Sequence, residues 1–318
     1  MDYKEFLEKL QSNLYTMLAG EYEVKVSPVI SNNNQKNDAI VIGNGISRLI
    51  SSSYLKQYYE SLSLGMTLTD IANQIINQSL TKNDKEVLSE ITDIQSVSNK
   101  IVYRLINWSM NKNWLEEVPH RIIEGDLAKV YYVNLNTDNL SVSSIMITNK
   151  LLSHWGMDKE KLDALADGNT PILFPVIIKD MNQLVYDIIS SQHSETETKY
   201  DNLGFDQFMN NYNETIDSEK KAKMYVLSNT RGINGAGAIL YPNVLQNFAL
   251  EHESDFYILP SSTHEVILIL TNSNLSAQNL RDMVREVNLT QVAEDEVLSN
   301  EIYYYDLSRN TFRIVKPD

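Results

Sequence analysis

Between Lys223 and Leu270 the hydrophobic pattern switches repeatedly, and each switch is marked by turn residues. Met224-Tyr225-Val226-Leu227 is a short apolar run of strand type. It leads into a turn holding Gly232, Gly235 and Gly237, and a helical pattern then continues to about His252. Pro242 fits a first-turn position, so regular helix is expected from near Tyr241. Phe256 to Leu259 and Val266 to Leu270 are two further strand runs, separated by Pro260-Ser261-Ser262-Thr263-His264-Glu265. Short apolar runs bounded by Gly, Pro and Ser read as strands, whereas apolar residues spaced three and four apart read as a helix. The succession strand, helix, strand, tight turn, strand points to an α+β fold with mixed or antiparallel sheets and packed helices.

The remainder fits the same class. Phe6, Leu7, Leu10, Leu14 and Met17 have the spacing of an amphipathic helix that ends at Gly20. Tyr22, Val24 and Val26 alternate with charges, and Ala39 to Ile42 returns after an Asn-rich turn, so a hairpin is expected. Helices follow over 53–63 and 69–79, broken around Gly65, with Thr69 as the expected N-cap of the second. Ile101 to Ile106 reads as a buried strand. Leu127 to Leu135 and Val142 to Ile147 read as an antiparallel pair joined by an Asn136-Thr137-Asp138-Asn139 turn, and Asn149–His154, 158–166 with Asp158 as its cap, and 180–190 read as helices. Ser276 to Val287 is an amphipathic helix, followed by a hairpin formed by Glu301–Tyr305 and Thr311–Val315. Residues 190–202 lack an apolar period and read as a linker. The expected organisation is thus two or three lobes: a helix-rich region with a short hairpin over 1–95, and α+β lobes over 96–190 and 203–318.

Composition narrows the function classes. The net charge is −15, from 42 acidic and 27 basic side chains. Phosphate binding draws on Lys and Arg, so this balance argues against a nucleic-acid or anionic-membrane partner and leaves a protein partner as the expectation. The absence of cysteine excludes disulfides, thiolate catalysis and Cys-ligated zinc. The first residues are charged and helix-like, without the apolar core of a signal peptide, and no apolar run is long enough to span a bilayer. A cytoplasmic location is expected. There are 18 tyrosines against 7 phenylalanines. Tyr buries a ring while keeping a polar tip, so many should lie at core edges.

Candidate chemistry concentrates in a few residues. Ser262, His264 and Glu265 are residue types of a hydrolytic triad. In an extended segment, however, Ser262 and His264 share a face while Glu265 points the other way, so Glu265 could not orient the imidazole. A turn whose hydroxyls satisfy backbone groups is the competing reading. Gly232, Gly235 and Gly237 could present amides to an anion, but the spacing matches neither the phosphate loop nor the dinucleotide fingerprint. A tight turn needing positive φ is the simpler reading. Gly43-Asn44-Gly45 is weaker, because Arg48 stands where a third glycine would be. The histidines, at 120, 154, 193, 252 and 264, include no helical His-x-x-x-His pair, so no metal and no cofactor is expected. A site assembled across the fold would join His120 to His264. Arg281, Asp282, Arg285 and Glu286 read as a polar helix face, and Arg285 is a candidate for contact with an anionic or protein ligand.

Several strings together carry a resemblance. They are Val102-Tyr103-Arg104-Leu105-Ile106-Asn107, Val118-Pro119-His120, Met224-Tyr225-Val226-Leu227-Ser228-Asn229, Ile258-Leu259-Pro260-Ser261-Ser262 with His264-Glu265-Val266, and Met283-Val284-Arg285-Glu286-Val287-Asn288 with Thr290-Gln291-Val292. On these the chain resembles family 5688 of the domains of unknown function, over nearly its whole length. The second lobe is more distantly similar to the uncharacterised YtpQ-like family. The resemblance implies a bacterial cytoplasmic α+β protein and carries no catalytic role. The leading expectation is a non-enzymatic interaction protein of a bacterial or mobile-element system. The alternative is an enzyme or small-ligand binder whose site, between lobes, gathers His264, Ser262, His120 and the Gly232–Gly237 loop.

Overall fold

The computed structural model describes residues 1–43, 47–50, 52–79, 89–135, 144–181, 183, 223–260, 262–271 and 275–316. The expected linker at 190–202, most of the expected helix over 180–190, the turn at 136–139, Ser261 and His193 lie outside the described residues. The fold is α+β, with helices and antiparallel sheets. The chain forms two compact units, Met1–Lys100 with Val133–Ile145, and Ile101–Tyr132 with Met146–Asp318. No helix among the described residues is long and apolar enough to cross a membrane.

In the first unit, α1 (Tyr3–Met17) starts at Asp2, whose carboxylate accepts from Glu5 N–H at 2.8 Å. It buries Phe6, Leu7, Leu10 and Leu14 against a three-stranded sheet in the order β1 (Glu23–Ile30), β2 (Lys36–Gly43) and β3 (Ser47–Ile50). The β1–β2 hairpin is the expected one, in register from Glu23 opposite Gly43 to Ile30 opposite Lys36. Strand β3 was not anticipated. Gly43 ends β2 opposite Ser47, so the glycine-containing segment joins two paired strands. Helices α2 (Ser52–Ser61) and α3 (Leu68–Ser79) follow. The cap of α3 is Thr67, not Thr69: Thr67 Oγ1 accepts from Asp70 N–H while Asp70 accepts from Thr67 N–H, a reciprocal pair that sets the start two residues earlier. A short helix α4 (Ile94–Val97), capped by Asp93, ends the stretch.

The second unit contains two sheets. In one, β4 (Ile101–Asn107), β6 (Leu127–Asn134) and β5 (His120–Glu124) lie side by side in that order, and β7 (Ser144–Met146) also pairs with β6; Val133, Asn134, Ser144 and Ile145 of these strands belong to the first unit. A single-turn helix α5 (Lys112–Leu115) links β4 to β5. Helices α6 (Asn149–His154) and α7 (Lys159–Leu173) are capped by Thr148 and by the expected Asp158. The other sheet has six strands, in the order β13-β12-β10-β11-β9-β8. It comprises β8 (Val176–Asp180), β9 (Met224–Asn229), β10 (Phe256–Leu259), β11 (Val266–Leu270), β12 (Tyr303–Asp306) and β13 (Thr311–Ile314), and every adjacent pair is antiparallel. Strand β8 was not anticipated, and it pairs directly with β9, so the strands on either side of 181–223 are neighbours. The glycine-rich turn opens a 3-10 helix over Gly235–Leu240. The α-helix α8 (Val244–His252) begins only after Pro242, later than expected.

Helix α9 (Ala277–Thr290) is capped by a Ser276–Asn279 capping box and packs Leu280 and Val284 into a core with Ile267, Ile269 and Ile302. One part of its expected polar face is corrected. Arg281 is 3% exposed, and its guanidinium donates to Glu301 at 3.3 Å, Gln278 at 3.1 Å and the Val315 carbonyl at 2.8 Å. The aliphatic stem is buried because the fork finds three acceptors, which a helical wheel cannot reveal. Arg285 stays half-exposed, 3.8 Å from Glu301.

Candidate functional site

The turn between β10 and β11 meets the glycine-rich turn after β9. Asn229, the last residue of β9, shapes that second turn with its own side chain: Oδ1 accepts from Arg231 N–H at 2.9 Å, and Nδ2 donates to the Ile233 carbonyl at 2.9 Å. Gly232 adopts φ +66°, which is the conformational freedom expected of a glycine here. Gly235 is needed for another reason. A Cβ there would lie 2.2 Å from Ser228 Oγ, and 2.6 Å from both Asn229 N and the His264 carbonyl oxygen. Two of these atoms are backbone and cannot retreat. Gly235→Ala is therefore expected to destabilise the protein by about 1–3 kcal/mol, measured by urea unfolding. A loss no greater than a surface Gly→Ala would contradict the close approach.

His264 joins these turns. Its Nδ1 accepts from Asn234 N–H at 3.1 Å, and its Nε2 faces Glu296 Oε1 at 3.3 Å. The His264 carbonyl accepts from Ser228 Oγ at 2.8 Å, and the His264 N–H donates to Ser262 Oγ at 3.0 Å. Around the ring, Ala236 N–H donates to the Thr263 carbonyl, Thr263 N–H donates to the Glu296 carbonyl at 2.8 Å, and Ser262 is bridged to Val297. The junction therefore ties together the β9 turn, the β10–β11 turn and the segment before β12.

Ser262 and the imidazole do not form a nucleophile–base pair. Ser262 Oγ instead accepts from the His264 backbone N–H at 3.0 Å, the role of a turn hydroxyl. The expectation that Glu265 points away assumed extended backbone. The chain bends at Thr263 and His264, so pleat alternation does not apply there. The anion-cradle reading meets a similar obstacle, since the amides of Asn234 and Ala236 are already donated to His264 and Thr263. Gly237 lies against Tyr103, whose hydroxyl donates to the Gly237 carbonyl at 3.1 Å. His120 is not part of the junction: it lies on β5, its Nδ1 is 3.1 Å from the Val118 carbonyl, and none of the groups acting on His264 is His120.

The junction is ionisable. Burial pushes the Glu265 carboxyl up to about 7, against the His264 charge and the Ser262 hydrogen bond, with the Glu296 charge adding to the rise. Burial works to lower the His264 pKa, but the hydrogen bond and charge of Glu296 together with the charge of Glu265 raise it. Arg104 opposes the rise, and the net direction is upward. Arg104, on β4, sits over the Tyr132 ring at 4.0 Å to its centroid. Sequence reasoning missed both Arg104 and Glu296 as neighbours of His264. Each comes from a distant part of the chain, and no local spacing connects them.

A second polar cluster was also missed. Lys129 and Asp163 are both almost fully buried, with Lys129 Nζ 3.0 Å from Asp163 Oδ1. Asp167 also pairs with Lys129, Arg121 also pairs with Asp163, and Tyr131 donates its hydroxyl to Asp163 at 2.8 Å. The Lys129 ammonium lies 4.7 Å from the Tyr103 ring centroid. The available signal was a lysine within the otherwise apolar run Leu127–Val133.

Among the described residues, no three His, Asp or Glu side chains are placed to hold a metal ion. No curated protein and no solved structure matches the chain. A family model described as a family of unknown function, DUF5688, matches residues 3–307, and the chain belongs to that family.

Proposed function

We propose that this protein is a non-catalytic binding protein of the bacterial cytoplasm, acting through a protein partner, and that its reactive-looking turn is a structural clasp. The observation that carries this reading is the state of His264: both ring nitrogens face groups of the same chain, one the Asn234 amide and the other Glu296. A general base must have a nitrogen free to reach a proton on the substrate or nucleophile. The acidic, cysteine-free composition supports the compartment and a protein partner over a polyanion.

A second reading has one observation in its favour. Glu265 titrates near 7 beside His264 and Ser262, and shifted ionisable groups gather at functional sites. It would make the junction a small-ligand or catalytic site. One substitution separates the two. As a clasp, His264→Ala removes hydrogen bonds at both ring nitrogens and should lower stability by about 1–3 kcal/mol. Thermal melts of wild type and His264→Ala, with and without a panel of metabolites and divalent metals, test this. An unchanged melting temperature, with a ligand-induced shift seen only in wild type, would replace the clasp by the ligand site.

A further inference from the structure

At the opposite end of the 3-10 helix from His264, the chain turns into α8 beside the β12–β13 hairpin. A shallow open depression of about 230 Å³ forms there. Its lining includes Tyr241, Asn243, Gln246, Asn310, Thr311 and Phe312. In a chain with 42 acidic and 27 basic side chains, none of the residues lining this hollow is charged. That disfavours an ionic ligand, because nothing in the lining would compensate its charge.

The polar groups that do line it are neutral and can both donate and accept. Asn243 precedes α8 in a left-handed conformation, φ 64°, and its side chain makes no capping hydrogen bond. The Asn310 Oδ1 accepts from the Tyr305 hydroxyl at 2.5 Å, which fixes that amide with its NH₂ group uncommitted. Among the described residues, the Asn243 and Gln246 amides and the Thr311 hydroxyl engage no protein group. Beside them stand aromatic rings. Tyr305 is held by stacking on Phe256, with centroids 4.9 Å apart, and the Tyr241 hydroxyl is anchored on the Phe174 carbonyl at 2.8 Å. Both of these rings are buried, Tyr241 at 6% and Tyr305 at 2% exposure, and form the fixed floor of the hollow, so the half-buried Phe312 is the ring open to a ligand.

We propose that this depression binds a neutral polyhydroxylated ligand of about pyranose size. Such a ligand presents hydroxyls that match amide donors and acceptors, and a C–H face that packs on an aromatic ring. The hollow is open on one side, so affinity should be weak, with Kd of about 1–10 mM.

The test is a ¹H–¹⁵N chemical-shift titration of the full chain with methyl glucoside, methyl galactoside and N-acetylglucosamine, up to tens of millimolar. Glucuronate and glucosamine serve as charged counterparts. Saturable shifts confined to the lining are expected for at least one neutral sugar, with the charged counterparts weaker. Gln246→Ala and Asn243→Gly should each weaken binding severalfold, and together at least tenfold; glycine preserves the left-handed backbone at 243. Phe312→Leu keeps an apolar side chain while removing the ring, and should also weaken binding. Three outcomes would each overturn the assignment: no saturable shift with any neutral sugar, shifts unchanged in the folded double variant and in Phe312→Leu, or tighter binding of a charged counterpart.

Discussion

Replacing Asp163 by alanine will lower the unfolding free energy by about 3–5 kcal/mol, as expected when one partner of a buried ion pair is removed. The carboxylate receives Lys129, Arg121 and the Tyr131 hydroxyl. Without it, Lys129 keeps Asp167, which is half-exposed, and the face of the Tyr103 ring, and the Tyr131 hydroxyl loses its Asp163 acceptor. Arg121 is the contrasting case. Its side chain is 62% exposed, so Arg121→Ala should cost less than about 1 kcal/mol. Urea unfolding of the two variants at neutral pH makes the comparison, and equal losses would refute a buried network anchored on Asp163. There is also an acid-side signature. Burial raises the Asp163 carboxyl pKa, but hydrogen bonds from Lys129, Tyr131 and Arg121 and the Lys129 charge outweigh it, so the net direction is down. The stabilisation is therefore present above the ordinary carboxylate range and is lost as pH falls through the lowered folded-state value. Asp163→Ala should lack that component of acid destabilisation.

Glu265→Gln should make the protein more stable at pH 8 than wild type, by on the order of 2–3 kcal/mol, and leave it nearly equal at pH 4.5. The folded-state pKa of about 7 lies above the ordinary value of 4.5, so the folded protein holds this proton where the unfolded chain has released it. The associated stability is complete below 4.5 and is lost as pH rises toward and through 7. His264 is also shifted upward, so its contribution falls with rising pH in the same sense. Glutamine matches glutamate in shape but carries no charge. Melting temperatures measured across pH 4.5 to 8.5 should slope downward in wild type and be flatter in the variant. Parallel curves would mean that Glu265 is well solvated when ionised.

Much of the scaffold was legible because it rests on local rules. Val266–Leu270 and Phe256–Leu259 are strands with the expected bounds, and Asp158 and Ser276 begin helices as their side chains dictate. The three missed strands, β3, β5 and β8, show where local rules fail. Val176-Ile177-Ile178 follows Pro175 directly after a helix and is short, and only its pairing with β9 makes it a strand. Ser47–Ile50 is similarly defined by β2. At the junction, the sequence named Ser262, His264 and Gly235, which lie close together. It misjudged one reason: Gly235 is required by crowding rather than by a positive φ. Arg104 and Glu296 were not legible there, because their proximity to His264 is a product of tertiary packing alone.

Asp180 and Tyr225 stand opposite each other in the β8–β9 ladder. The intervening chain thus leaves and re-enters the sheet one strand spacing apart, about 5 Å. For a connection with its ends pinned so closely, closure entropy grows only with the logarithm of length, about 0.6 kcal/mol per doubling. Closure alone therefore sets little penalty on a change of length between those two strands, whose register is fixed by their own pairing. This connection is where differences in chain length are expected to be tolerated. Homologues of unequal length should still align strand for strand on both sides of it.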